Sequence, residues 1–194
     1  PGKPLGFLDH HVQHGNSLVG ILDPVIMKEG IPDKAYTALS GDDKTTCTAL
    51  KRSNRSQAGG RQAELFKPEV AQQLANTHAA LDAMPEDTVD AIAAKRAAFI
   101  QAEADQQLAL ERLRCDLFCA AFFAPKTAAN AAKVPLSGDL VRAAEGQPMR
   151  SGVAELASEL AAQYHFFHWR LAFPEVFAQG GFDVVLANPP WERI

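Results

Sequence analysis

The chain has 194 residues, of which 47% are hydrophobic and 22% charged, and carries a formal net charge of −4. It is too apolar to stay disordered and long enough for one sizeable core or a domain with an appendage. The longest uncharged apolar run, Leu117 to Ala124, is far shorter than the roughly 20 residues of a membrane span, and the net charge offers nucleic acid no global attracting field.

The amino terminus shows no basic segment leading into an apolar one, so no secretory signal is expected. Cys47, Cys115 and Cys119 have no paired C-x-x-C spacing, which points to reduced thiols and a cytoplasmic setting. The sequence opens at Pro1 and stops just after a double proline, so it reads as a piece of a longer polypeptide.

In chain order, His10 to His14 predicts a short strand with Val12 facing inward, followed by a Gly15-Asn16-Ser17 break. Lys44 to Ala63 contains no acidic residue but includes Lys44, Lys51, Arg52, Arg55 and Arg61. Its Ser, Thr, Asn and paired Gly predict a basic loop over 44–63. Pro68 suits a first helical position, and Val70, Leu74 and Leu81 mark one helical face up to Met84. Thr88 predicts a cap. After it Val89, Ile92, Ile100, Ala104, Leu108, Leu113, Leu117 and Ala121 recur at helical spacing until Pro125. Unbroken, that helix measures on the order of 50 Å and folds back on its predecessor as a hairpin. Residues 128–150 predict a loop, and Ser151 a cap for a third helix with Val153, Leu156, Leu160, Tyr164 and Phe167 on one stripe.

The pattern then changes. Phe182-Asp183-Val184-Val185-Leu186-Ala187 is a nearly continuous apolar run, as in a parallel strand buried on both faces, and it leads into Asn188-Pro189-Pro190-Trp191. Ligands of open α/β sheets bind beyond the carboxyl ends of strands, where this tetrapeptide falls. Its prolines remove two donors, fix φ and leave carbonyls free to face a ligand.

The run from Phe182 to Trp191 resembles the catalytic motif of the amino-group DNA methyltransferases that act on adenine N6. The longer stretch from His168, with Phe173-Pro174-Glu175-Val176-Phe177, is similar to the large single-chain restriction–modification enzymes and their phage-defence relatives. The opening Phe7-Leu8-Asp9-His10-His11 with Gly15-Asn16-Ser17-Leu18 resembles a segment these proteins carry before a helical insertion.

The resemblance implies a mainly α chain with a few strands: part of an α/β, Rossmann-like, S-adenosylmethionine-dependent methyltransferase sheet, interrupted by a long helical insertion. Residues 1–25 and 165–194 would be core segments and 26–164 the insertion. It implies catalytic roles for Asn188, Pro189, Pro190 and Trp191. Asn188 and the Pro189 carbonyl would accept from N6, and Trp191 would stack on a base extruded from duplex DNA. Asn16 and Ser17 would contact the cofactor's adenine ring, although Gly-Asn-Ser is also an ordinary turn. The family's Phe-x-Gly-x-Gly cofactor loop is missing from the sequence, so these residues alone are expected to be inactive.

Lys51, Arg52 and Arg55 are candidate phosphate contacts, although a solvated loop explains them as simply. His10, His11 and His14 have no Cys or carboxylate at ligand spacing along the chain, so no metal is expected. Two other readings remain: an amino-group methyltransferase of protein glutamine or RNA, and a non-enzymatic helical interaction module.

Overall fold

A computed structural model describes residues 6–58 and 68–188. The elements are two 3-10 turns, Pro24–Met27 and Asp33–Tyr36, followed by eight helices. These are α1 (Lys44–Ala58), α2 (Pro68–Asp82), α3 (Val89–Glu103), α4 (Gln106–Phe123), α5 (Ser137–Ala144), α6 (Val153–Tyr164), α7 (Trp169–Ala172) and α8 (Pro174–Ala178). Among the described residues there is no β-strand, only an isolated parallel bridge between Asn16 and Phe166. No helix of the described residues is long and apolar enough to cross a membrane.

The core forms around α4, which is buried on more than one face. Cys115, Leu117, Phe118, Cys119, Ala120 and Ala121 all lie inside. They pack against Leu140 and Ala143 of α5, Val153, Ala157 and Leu160 of α6, and Ile21, Met27, Ile31 and Tyr36 of the amino-terminal third. Burial pushes the Cys119 thiol up to about 12 and the Cys115 thiol upward as well, so both act as small apolar groups rather than thiolates. Lys126 finishes α4 by donating Nζ hydrogen bonds to the carbonyls of Phe122 and Ala124, at 3.0 Å each. This cation at a helix carboxyl end is well placed against the dipole. Its burial lowers the ammonium's pKa, and Asp42 partly offsets that.

Several expectations are corrected. Residues 44–58 of the expected basic loop are helical: Asp43 accepts from the amides of Thr45 and Thr46 and caps α1, while Cys47, Leu50 and Asn54 face inward at helical spacing. The hydrogen bond from the Thr46 hydroxyl helps hold the Asp43 carboxyl below its ordinary value. The polar composition of that stretch outweighed its three-residue apolar rhythm.

The expected long helix is two. Asp105 accepts from the amides of Gln107 and Leu108 at 2.8 and 3.0 Å, which starts α4 afresh after Ala104. On α3 the expected inward face is wrong. Val89 is 73% and Ile100 58% exposed, and the buried side chain is Lys95, paired to Glu86 at 2.7 Å. Residues 128–150 are not all loop, since they contain α5. Gly152 at φ 77°, not Ser151, caps α6.

Neither expected strand is one. Residues 9–12 form a turn, with His10 buried and Val12 72% exposed. Residues 182–188 form no strand, with Val184, Val185 and Leu186 at 71, 65 and 93% exposure. A parallel strand gains its burial from neighbours on both edges and helices on both faces, and the described residues supply neither.

Two polar networks fasten α5 to its surroundings. Asn54 Oδ1 accepts from the Tyr36 hydroxyl and from the amide and hydroxyl of Ser137, while Asn54 Nδ2 donates to the Ile31 carbonyl. Asp139, fully buried, accepts from the Leu136 amide and forms a two-pronged ion pair with Arg150. The same guanidinium donates to the carbonyls of Ala132 and Val134, so it clamps residues 132–136 as well. Asp139→Asn breaks a buried ion pair and is expected to cost about 3 kcal/mol, a fall in Tm on the order of 10 °C, measurable by differential scanning calorimetry.

Candidate functional site

The two terminal segments that carry the family resemblance meet in space. At the end of α6, His165 adopts left-handed backbone (φ 54°), and the Phe166 amide donates to the Ala161 carbonyl, turning the chain off the helix. The segment that follows runs parallel to residues 16–21. The Asn16 amide donates to the His165 carbonyl (2.7 Å), Phe167 to Val19 (2.8 Å) and Trp169 to Ile21 (3.0 Å). The bonds from Phe167 and Trp169 keep the two-residue step of a parallel ladder, whereas the turn closed by the Val19 amide on the Asn16 carbonyl shifts the register before them, so no strand forms. Gly20 allows the approach, because a Cβ there would collide with the Phe167 carbonyl oxygen.

Side chains reinforce the contact. The Ile21 amide donates to His168 Nδ1 (3.2 Å), so the ring carries its proton on Nε2 and presents it to Asp116 Oδ1 at 2.9 Å. Both side chains are largely buried, which ties residues 21 and 168 to α4. The dyad borders a cleft of about 200 Å³ whose lining includes Gln13, His14, Arg112 and Phe166. Neither His168 nor Asp116 was singled out from sequence. The 52-residue separation hides the pair, and the only signal was a His within the aromatic run Phe166-Phe167-His168-Trp169.

That run begins a second feature the sequence reading missed. Trp169, Phe173 and Phe177 surround Phe182, with ring centroids 5.9, 5.4 and 5.9 Å away and near-perpendicular planes. Such edge-to-face contacts add about 0.5–1.5 kcal/mol each beyond area burial. Phe182 is thus the anchored first residue of the segment that leads to Asn188. In turn, α8 packs on α2, where His78 Nδ1 comes within 3.1 Å of Glu175 Oε2 without the geometry of a hydrogen bond.

The candidate residues divide as follows. Asn188 is exposed at the end of that segment, and Pro189, Pro190 and Trp191 lie outside the described residues. Asn16 is exposed, and its Oδ1 accepts from the Leu18 amide at 3.2 Å, an Asx turn. Ser17 offers its carbonyl to Trp169 Nε1 at 3.3 Å. Asn16 and Ser17 therefore stand beside the segment that leads into the Asn-Pro-Pro-Trp run, although 172 positions separate Asn16 from Asn188 in the sequence.

Lys51, Arg52 and Arg55 lie on α1, not on a loop. Arg52 is exposed, Lys51 is half-buried, and Arg55 is ion-paired with Asp33, whose carboxyl that bond holds below its ordinary value. The histidines also depart from expectation: a carboxylate partner exists, brought from α2. Asp82 Oδ1 lies 2.7 Å from His10 Nε2 and 3.2 Å from His11 Nε2. His14 instead packs edge-on against His165.

Residues 100–194 match the family model of the Eco57I restriction-modification methylase. No curated protein and no solved structure matches the chain. The match is a likeness to restriction-modification methylases over just under half of the chain. It spans the His168–Trp191 stretch and does not reach residues 7–18.

Because the junction of the two segments depends on a missing side chain, Gly20→Ala is expected to force residues 16–21 and 165–169 apart. Hydrogen exchange should then show the Phe167 and Trp169 amides losing protection by about tenfold or more, with helix α4 less affected.

Proposed function

We propose, on the premise of the methylase family matched over residues 100–194, that the chain is part of a DNA methyltransferase. It would transfer methyl from S-adenosylmethionine to adenine N6 within a restriction–modification or related defence system. The observation that carries this reading is that the matched stretch ends on the Asp183–Trp191 run, whose Asn-Pro-Pro-aromatic corner has the donor-poor, carbonyl-rich character the reaction needs.

The chemistry asks for help because the N6 lone pair of adenine is delocalised into the ring. Asn188 Oδ1 and the Pro189 main-chain carbonyl accept the two N6 hydrogens, which favours a pyramidal, electron-rich nitrogen. Fixed acceptor dipoles also stabilise the positive charge that develops there, the counterpart of an oxyanion hole. Pro190 stiffens the corner so that neither acceptor has to reorganise. Trp191 stacks on the extruded base, worth roughly 1–3 kcal/mol. S-adenosylmethionine, when bound, supplies an electrophilic sulfonium methyl.

Asn16 is the residue proposed to meet one end of that cofactor: it is exposed, with its Oδ1 engaged by the Leu18 amide and its carboxamide nitrogen as the donor it offers to an adenine ring. No Phe-x-Gly-x-Gly turn occurs in the sequence to cradle the methionine end. Residues 1–25 and 165–194 then act as core segments and 26–164 as an insertion, joined where Val19 and Ile21 accept from Phe167 and Trp169. The proposed setting is the cytoplasm and the proposed substrate double-stranded DNA.

The decisive assay incubates the intact protein with plasmid DNA and methyl-labelled S-adenosylmethionine. Label is expected in N6-methyladenine, and Asn188→Ala should cut turnover by at least about 100-fold with the fold unchanged. Label in release factor or ribosomal RNA and not in DNA would move the activity to another amino-group substrate. Unlabelled DNA with an unaffected variant would leave a helical interaction module.

Lys51 and Arg52 contact DNA phosphates from α1, and Arg55 contributes less because Asp33 already holds its charge. Replacing Lys51 and Arg52 with Ala should weaken DNA binding and reduce the slope of log affinity against log salt by about 0.9 per lost contact. Unchanged affinity and slope across a salt titration would remove α1 from the interface.

A further inference from the structure

Consecutive residues of an extended chain point to opposite sides, so two adjacent histidines do not ordinarily converge on one target. Here they do. The His11 and Val12 amides both donate to the Leu8 carbonyl, at 2.8 and 3.0 Å, and this tight turn brings both imidazoles to the same side. Their ring centroids are 3.9 Å apart. His10 is 2% exposed and stacks on Phe7 at 5.5 Å with a 9° interplanar angle, so its ring is fixed. His11 is about half exposed. Both Nε2 atoms face Asp82 Oδ1, and the three donor atoms lie within 4.8 Å of one another.

Asp82 is the last residue of the 15-residue α2. Three observations therefore converge on a cation. The donor set is two imidazole nitrogens and one carboxylate oxygen. It sits at the negative end of a helix dipole. Two of its members, His11 and Asp82, keep an open path to solvent.

We propose that His10, His11 and Asp82 form a binding site for a first-row divalent ion of the zinc class, which pins the amino-terminal turn to the carboxyl end of α2. At metal–ligand distances of about 2.0–2.2 Å, tetrahedral ligands stand roughly 3.3 Å from one another. Of the observed separations from Asp82, the 3.2 Å to His11 already fits, and the 2.7 Å to His10 must open by about 0.6 Å. Each ring must present its Nε2 lone pair, so its single proton moves to Nδ1. Without metal, His10 Nε2 hydrogen-bonds Asp82; with metal bound, the proton goes to a buried Nδ1 that has no partner, so the metal–ligand bonds must outweigh that unsatisfied N–H. The remaining coordination position faces water. This site is independent of the methyltransferase reading, and it uses no residue assigned there.

The test is isothermal titration of the untagged protein with zinc chloride, repeated on H11A, D82N and the nearby control H14A. The expected result is one ion per chain with micromolar or tighter affinity, weakened at least about tenfold by His11→Ala and by Asp82→Asn and unchanged by His14→Ala. Zinc should also raise the Tm of the unaltered protein and of H14A but not of H11A. Cobalt substitution should give d–d absorption without a thiolate charge-transfer band. Absence of saturable binding, affinity in H11A and D82N unchanged from the unaltered protein, or a thiolate band showing that a cysteine holds the metal would each overturn the proposal.

Discussion

Three backbone hydrogen bonds, from Asn16 to His165, Phe167 to Val19 and Trp169 to Ile21, join segments almost at opposite ends of the described chain. Everything proposed for function depends on that junction, because one side carries Asn16 and the other leads into Asn188. Closing a loop of this length costs configurational entropy, although each doubling adds only about 0.6 kcal/mol. The helices between act as a shaped spacer. Helix α4 and helix α6 pack together in the core, and the left-handed turn at His165 releases the chain beside residues 16–21. His168, held between the Ile21 amide and Asp116 of α4, fixes the junction to the core it emerges from.

Local rules were legible in the sequence where one face alone is buried. Helix α2 lies where Pro68 and the Leu74–Leu81 spacing place it, and α6 follows from Val153, Leu156 and Leu160. They failed where burial is either complete or nearly absent. Helix α4 is enclosed on several faces, so its apolar residues merge with those of α3 into one apparent period, and only Asp105 marks the break. Helix α3 is peripheral, so its apolar residues reflect no buried face. Helix α1 was obscured by Ser, Thr and Asn, residues favoured in turns until a cap such as Asp43 and inward-facing Cys47, Leu50 and Asn54 outweigh them.

The candidate residues show the same division. A contiguous run such as Asn188–Trp191 can be singled out without a fold. The pairs His168–Asp116, His78–Glu175 and His10–Asp82 cannot, because their members lie 52, 97 and 72 positions apart and become neighbours only through helix packing. No local periodicity announces such pairs. The one hint common to them is a histidine amid apolar or aromatic residues, a position where an imidazole needs a partner.

The segment after Phe182 has a practical consequence. Its first ring is held among three aromatics, while Val184, Val185 and Leu186 present exposed apolar side chains with no ladder partner among the described residues. Such a ribbon is a template for any strand that can lie alongside it. Whatever seats there gains both ladder hydrogen bonds and buried side chains, and until it is seated, copies of the protein compete for the same edge. Colloidal behaviour in concentrated solution should therefore be governed by these few residues more than by the acidic surface.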